Sequence, residues 1–462
     1  MTDAVRKTSA AVDEMAEDWT LIDTLMGGTK AMRRAGKQYL PQWPAEDAQS
    51  YKERLATATL FPAYARTVSV LTGKPFSKPI KIGEDVPPRI KEWMEDVDLE
   101  GRNLHAFAAE VCAEGLSHGL CGILVDCPPN PSAKTVADER AAGVRPYFVH
   151  IRHGQILGWK TEKIKGGLKL VQLRLLESVE LPDGEFATKF VEQVRVLEPG
   201  KWTVYRKTKV ENAPETWSIF EQGPTTIPII PFVPIYGFRK EFMVGVAPML
   251  ELAHANVEHW QSKSDQQTIL HVARVPVLFT KDIGADTAIT VGSGTFIRAT
   301  GEHADAKYVE HSGKAIEAGR ISILDLEDRM RQIGAELLVI KPGNITEAQT
   351  LADNEPGMCD LQRIMESLED GLDQALDLMG QWVGEKISGH VTVYKDFGAA
   401  TLAEASAELL YKMRSSGSLS LETLLSECKR RGILSPDLDL DNEIQRAKAD
   451  APVETTQVNV RP

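Results

Sequence analysis

The chain has 462 residues, 42% hydrophobic and 26% charged, which is length for two to four structural units and the composition of a globular rather than a disordered or membrane protein. A formal net charge of −13 argues against a protein that grips nucleic acid by neutralising many phosphates, because that mode needs a basic surface. Five cysteines, Cys112, Cys121, Cys127, Cys359 and Cys428, are an odd number, and residues 1–17 mix charges of both signs without the apolar block of a secretory signal, so free thiols and a cytosolic place of synthesis are expected.

In chain order, an amphipathic helix is predicted near 12–25, followed by a Gly/Pro-punctuated link and a second helical run over 49–71, broken at Pro62. Residues 90–97 and 104–116 read as further helices. From Cys121 the texture changes to short β-rich runs at 121–125, 147–151, 168–176, 192–197, 202–206 and 217–221, separated by Gly, Pro and Asp clusters. This predicts a mostly antiparallel meander, closed by residues 225–236 as a Pro-rich extended connector. Residues 227–235 are apolar but carry three prolines and fall well short of a membrane span of about 20 residues.

After Gly245 the period becomes helical. Val246, Leu250, Ala253, Val257 and Trp260 share one stripe, with Pro248 suited to a first turn. A short β insert follows, its strands expected at 275–280 and 295–298, and a second stripe runs through Ile316, Ile323, Leu326, Met330, Ile333 and Leu337. The Pro/Gly/Asn-rich link 341–346 leads to a third long helix marked by Leu361, Met365, Leu368, Leu372, Ala375, Met379 and Val383. A helical hairpin over 402–413 and 421–431, with Gly432 as its C-cap, precedes a frayed end beyond Ala449. The fold class is α+β.

Catalytic signatures do not emerge. There is no GxxxxGK[ST] loop, and Gly292, Gly294 and Gly301 lack the lysine and the strand-to-helix context, so ATP hydrolysis is not expected. Cys112, His118, Cys121 and Cys127 have ligand chemistry, yet no CxxC pair brings two thiolates together, which favours buried free cysteines over a metal. His254 and His259 lie five apart, on different helix faces, and no HExxH or GxSxG occurs. Acidic pairs such as Glu95–Asp96 and Glu369–Asp370 read as solvated faces. The basic end Lys429-Arg430-Arg431 offsets a helix dipole more naturally than it reads DNA. No catalytic residue, cofactor or metal is therefore expected.

What remains is an ordered pattern of structural residues. Gly27-Gly28-Thr29, Ala31-Met32-Arg33, Ala35-Gly36, Tyr39-Leu40-Pro41, Tyr51, Arg54-Leu55 and Gly73-Lys74-Pro75-Phe76 open it. Gly119, Ile123-Leu124-Val125-Asp126, Pro128, Leu250-Glu251-Leu252-Ala253-His254-Ala255-Asn256, His259-Trp260 and Thr346-Glu347-Ala348 continue it. With this pattern nearly the whole chain resembles the portal proteins of tailed bacteriophages, in particular a branch long catalogued as a domain of unknown function. The specificity lies in the number and order of the matches.

The resemblance implies a non-enzymatic ring, typically a dodecamer, at the capsid vertex of the virion, assembled in the host bacterial cytoplasm. It would serve as the DNA translocation channel for genome packaging and ejection and as the head-tail connector. Carried onto this chain, 1–240 is a wing of helices and β-meander, 241–272 a stem helix, 273–313 a small α/β clip and 314–338 the second stem helix. Residues 339–357 are then a tunnel-loop-like link, 358–398 a wing helix and 399–462 a short helical crown. The implied partners are further copies of the chain, the large terminase, a head-tail adaptor, major capsid and scaffold proteins, and double-stranded DNA passing non-specifically. No membrane is implied. Lys263, Arg274, Arg298, Lys341 and Asn344 are the candidates for the channel, and Trp260 and Met330, on the two stripes, for subunit contacts. Competing readings are another structural head-tail component, an unrecognised soluble enzyme with a site near Cys112–Cys127, and a sequence-specific DNA binder.

Overall fold

Val12, Met15, Trp19, Ile22 and Leu25 recur every three or four residues and form the buried stripe of α1 (Ala10–Met26). The computed structural model containing this helix describes residues 3–128, 144–208, 215–274, 277–281, 305–309, 314–338, 359–385, 388–395, 410–430, 434 and 438–449. After α1 come α2 (Gly28–Ala35), α3 (Ala48–Thr57), α4 (Ala63–Gly73), the short strand β1 (Lys81–Ile82), α5 (Pro88–Trp93) and α6 (Leu104–His118). The break expected at Pro62 falls between α3 and α4, and the helix expected over 90–97 is α5 continued by a 3-10 turn.

β2 (Leu120–Asp126) and β3 (Tyr147–Ile151) do not belong to the meander. They form a three-stranded antiparallel sheet with β9 (Phe232–Tyr236), in the order β3-β2-β9. This corrects the reading of 225–236 as a connector only. Pro234 lies opposite Gly122 in the pairing, and β9 accepts it because an edge strand needs backbone donors on one side alone. The meander itself is a five-stranded sheet in sequence order, β4 (Ile156–Ile164), β5 (Gly167–Pro182), β6 (Thr188–Glu198), β7 (Lys201–Thr208) and β8 (Thr216–Pro224). Its Ile156, Leu173 and Leu175 pack with Val12, Met15 and Trp19 of α1, and Leu157, Val194, Val196 and Trp217 form a smaller cluster with Val5.

A hairpin of β10 (Phe238–Glu241) and β11 (Val244–Val246) precedes the long helix α7 (Leu250–Ala273). Val246 is therefore a strand residue, and Pro248 sits in the turn before the helix rather than inside its first turn. β12 (Val277–Lys281) pairs antiparallel with β13 (Asp305–Val309), so the second strand lies further on than the expected 295–298, which falls outside the described residues. α8 (Lys314–Glu336) then returns along α7. Gln266 Nε2 donates to the Ile316 carbonyl at 2.8 Å, and His259 Nε2 lies 3.2 Å from Glu327 Oε1, so the two helices, each about 35 Å long, run antiparallel.

α9 (Asp360–Val383) lays Leu361, Ile364, Met365, Leu368, Leu372, Ala375 and Met379 into the core. It passes so close to β9 that a Cβ at Gly371 would stand 2.3 Å from Ile235 Cδ1. β14 (Val391–Thr392) pairs with β1. Residues 410–415 are helical, followed by α10 (Leu421–Arg430) and by α11 (Leu440–Ala449), a helix that the sequence reading does not contain. Residues 402–409 and Gly432 lie outside the described residues.

One core joins most of these elements. It gathers Ile22 and Leu25 of α1, Tyr64, Val68 and Leu71 of α4, Phe107, Val111 and Leu116 of α6, Leu252 and Trp260 of α7, and the stripe of α9. Buried Asn256 ties α7 to the start of α4, accepting from the Tyr64 N–H at 3.0 Å and donating to the Phe61 carbonyl at 2.9 Å. Among the described residues no helix is long and apolar enough to cross a membrane.

Candidate functional site

Of the residues singled out for a channel, Lys263 is half-buried on α7 and Arg274 is exposed just past its end. Eleven residues separate them, close to three helical turns, so they share one face about 16 Å apart. Arg298, Lys341 and Asn344 lie outside the described residues. Trp260 and Met330 require a correction. They are 0% and 2% exposed, inside the core of a single chain, and a side chain with no free surface cannot anchor a second subunit. Apolar surface does occur on the same two helices, farther from the core, where Ile269, Ile321 and Leu324 are 36%, 47% and 43% exposed.

The densest chemistry lies elsewhere, along α6. Asn103 caps this helix by accepting from the Ala106 N–H at 2.9 Å, and Gly119 ends it at φ 81°, where a Cβ would collide with the Val246 backbone at 2.3 Å. Glu110, Glu114 and His118 follow one another at intervals of four and line one face. Opposite them stand His150 of β3, then Arg152 and His153 of the turn that follows, and Asp23 near the end of α1. The turn is held by Gln155 Oε1, which accepts from the Arg152 N–H at 2.9 Å.

At one end of this face, His118 and His153 stack with ring centroids 3.8 Å apart and planes 8° from parallel. His118 Nε2 is 3.2 Å from Asp23 Oδ1, and His153 Nε2 is 3.3 Å from Asp23 Oδ2. The other ring nitrogens are also engaged, His153 Nδ1 with Glu114 Oε1 at 2.5 Å and His118 Nδ1 with Ser117 Oγ at 2.8 Å. Trp19 donates its Nε1–H to the His118 carbonyl at 2.8 Å and meets the His153 ring edge-on. Burial resists charge on His153, but hydrogen bonds to Asp23 and Glu114 outweigh it and hold the ring's pKa up at about 9. Burial likewise opposes ionisation of Glu114, yet His153 and the neighbouring histidines bring it down to about 2, and Asp23 is lowered for the same reason.

At the other end, Arg102 pairs with Asp98, Glu100 and Glu110, and Arg152 Nη2 lies 2.7 Å from Glu110 Oε1. The His150 side chain is buried there without a hydrogen bond, and burial lowers its pKa ahead of the opposing pull of Glu114 and Glu110. These groups border a cavity of about 530 Å³.

The cysteines near His118 do not join it. Cys112 Sγ faces Met365 Sδ at 3.9 Å, Cys121 Sγ faces the Val111 carbonyl at 3.5 Å, and burial pushes both thiols up. None of the five cysteines forms a disulfide. The spacing Glu110, Glu114, His118 was legible as a helix face. That Asp23 and His153 meet it was not, because neither lies near it in sequence.

A family model described only as a domain of unknown function, DUF4055, matches residues 248–383, less than a third of the chain, which takes in α7, β12, β13, α8 and α9. No curated protein matches. Among solved structures, the chain is similar to one from the virion of a native gene transfer agent particle, with 12% identity and a TM-score of 0.40 over 87% of this chain and 98% of that one. A chain from the neck of an empty gene transfer agent particle, computed with C6 symmetry, is 12% identical with a TM-score of 0.40 over 85% of this chain and 95% of that one. One from the neck of the native particle, computed with C12 symmetry, is 11% identical with a TM-score of 0.39 over 80% and 89%.

Proposed function

We propose that the chain is the subunit of a portal-type ring of twelve copies, a non-enzymatic component of a phage virion whose central channel passes double-stranded DNA. The observation that carries this reading is the helix pair α7 and α8. Its inner half is built into the core, it brackets a β insert, and its outer half keeps Ile269, Ile321 and Leu324 in solvent with nothing among the described residues to cover them. A closed ring joins by heterologous contacts, each copy offering two different patches, and an apolar edge on a protruding helix pair suits one of them.

In this reading 1–240 and 358–398 are the wing, 241–272 and 314–338 the stem, 273–313 the clip, 339–357 the tunnel-loop-like link and 399–462 the crown. The clip meets the large terminase and later the head-tail adaptor, and the wing meets capsid and scaffold proteins. Twelve chains of −13 make a strongly acidic ring, its field confined to about 8–10 Å by salt, and an acidic wall repels phosphates so that DNA slides rather than sticks. Lys263 and Arg274, with Arg298, Lys341 and Asn344, are the channel-facing exceptions. Light scattering followed by negative-stain electron microscopy of the purified chain tests the reading. Rings with a central hole wide enough for duplex DNA are expected, and a uniform population of compact monomers or dimers that never assembles, even with scaffold protein, overturns it.

A further inference from the structure

We propose that Asp23, His118 and His153 bind one divalent transition-metal ion, zinc by its chemistry, which clamps the N-terminal helix to the core. The three donor atoms lie within 4.8 Å of one another. Zinc at about 2.0–2.1 Å from each of its tetrahedral ligands holds those ligands about 3.3 Å apart. Each imidazole already stands at that spacing from one oxygen of the carboxylate, His118 Nε2 3.2 Å from Oδ1 and His153 Nε2 3.3 Å from Oδ2. What remains is for the carboxylate to turn one oxygen towards both rings, and for the stacked rings to tilt so that both Nε2 atoms aim at one point.

The outer contacts favour the same arrangement. Ser117 Oγ donates to the Ala113 carbonyl at 2.7 Å and is left to accept from His118 Nδ1, and His153 Nδ1 faces the Glu114 carboxylate. Each ring thus spends its Nδ1–H on an acceptor and turns Nε2 towards Asp23, which is how histidines are oriented around a metal by their outer partners. Two nitrogens and one carboxylate suit zinc better than calcium or magnesium, which take oxygen ligands. Asp23, with its side chain 59% exposed, supplies a way in and leaves the fourth position to water.

The ligands come from α1, α6 and the turn after β3. α1 places Val12, Met15 and Trp19 against the meander and Ile22 and Leu25 in the main core, so an ion at Asp23 locks the helix that joins the two. Metal bound by the folded chain alone stabilises it by an amount that grows with the logarithm of free metal above the dissociation constant.

The test uses the full chain, stripped with EDTA, desalted and titrated with zinc chloride by calorimetry, with bound metal counted by mass spectrometry. One zinc per chain is expected, together with a higher melting temperature that EDTA reverses. Cobalt at the site should show the visible bands of a tetrahedral ion. Asp23→Asn, a near-isosteric change at an exposed position, should abolish binding while leaving the metal-free circular dichroism spectrum unchanged. Glu114→Gln should weaken binding 10- to 100-fold, the usual cost of losing an outer partner, at about the same stoichiometry. Cys127→Ser should bind as the parent does. Failure of the parent chain to bind zinc overturns the proposal, as does undiminished binding by Asp23→Asn or loss of binding in Cys127→Ser.

Discussion

The inner and outer halves of the helix pair share a period but not an environment. On the inner half, Leu252, Ala253, Asn256, His259 and Trp260 of α7 and Leu326 and Met330 of α8 are buried. On the outer half burial is limited to seam residues such as Ser264, Gln266 and Ile323, while Ile269, Ile321 and Leu324 face solvent. Both halves are regular helix. The difference lies in what surrounds them: α4 and the core close over the inner half, while among the described residues the outer half, beyond the contact of Asp265 with Arg54, packs chiefly on its partner helix. One amphipathic pair thereby holds both a fold-defining segment and a segment whose apolar surface stays exposed.

The sharpest way to break that comparison is Trp260→Ala, which empties a fully buried site and should cost about 3–5 kcal/mol. Its signature is a urea midpoint far below that of the parent, whatever the state of assembly. A smaller effect on folding and a larger one on assembly are expected from the double variant Ile269→Asp and Ile321→Asp. Monomer stability should stay within about 0.5 kcal/mol of the parent, while rings disappear from light scattering and micrographs. A variant that assembles normally would show that the outer apolar edge is not a subunit contact.

The boundary between the halves carries the smallest expected effect. Arg54 Nε and Nη2 each lie 2.7 Å from Glu46, a bidentate pair with both side chains 3% exposed, and Arg54 Nη1 reaches Asp265 of α7 at 3.7 Å. The hydrogen bonds from Arg54 lower the Glu46 pKa against the cost of burial. A carboxyl that titrates lower folded than unfolded contributes fully above its unfolded value of about 4.3, and that contribution fades as pH falls through the folded value. Glu46→Gln should therefore be less stable than the parent at neutral pH, with the gap narrowing as pH falls below the unfolded carboxylate value, as read from urea midpoints.

Much of the secondary structure was open to a reader of the sequence. The stripes on α1, α7, α8 and α9 are runs of apolar residues at helical spacing, and the core strands of the meander are marked by turn residues at both ends. Partnership was less legible. β2 and β9 are separated by the whole meander, and the Pro-rich spelling of β9 hides a strand that only an edge position permits. β4 was missed because its second half, from Lys160 on, is largely polar and exposed, without a run of apolar residues to announce it.

The clustered site shows the same limit from the side of chemistry. In sequence His118 lies near three cysteines with ligand chemistry, yet two of those thiols turn into the core and its partners are Asp23 and His153. By itself, then, the sequence determined which segments are helical or extended, their order, the acidic balance and the absence of a nucleotide-binding loop, because each of these is written in local spacing or composition. Only the tertiary structure decided that Trp260 and Met330 are core while Ile269 and Ile321 are surface, and that Asp23, His118 and His153 converge. Spacing specifies the face of a helix on which a residue lies, and what covers that face depends on packing between distant parts of the chain.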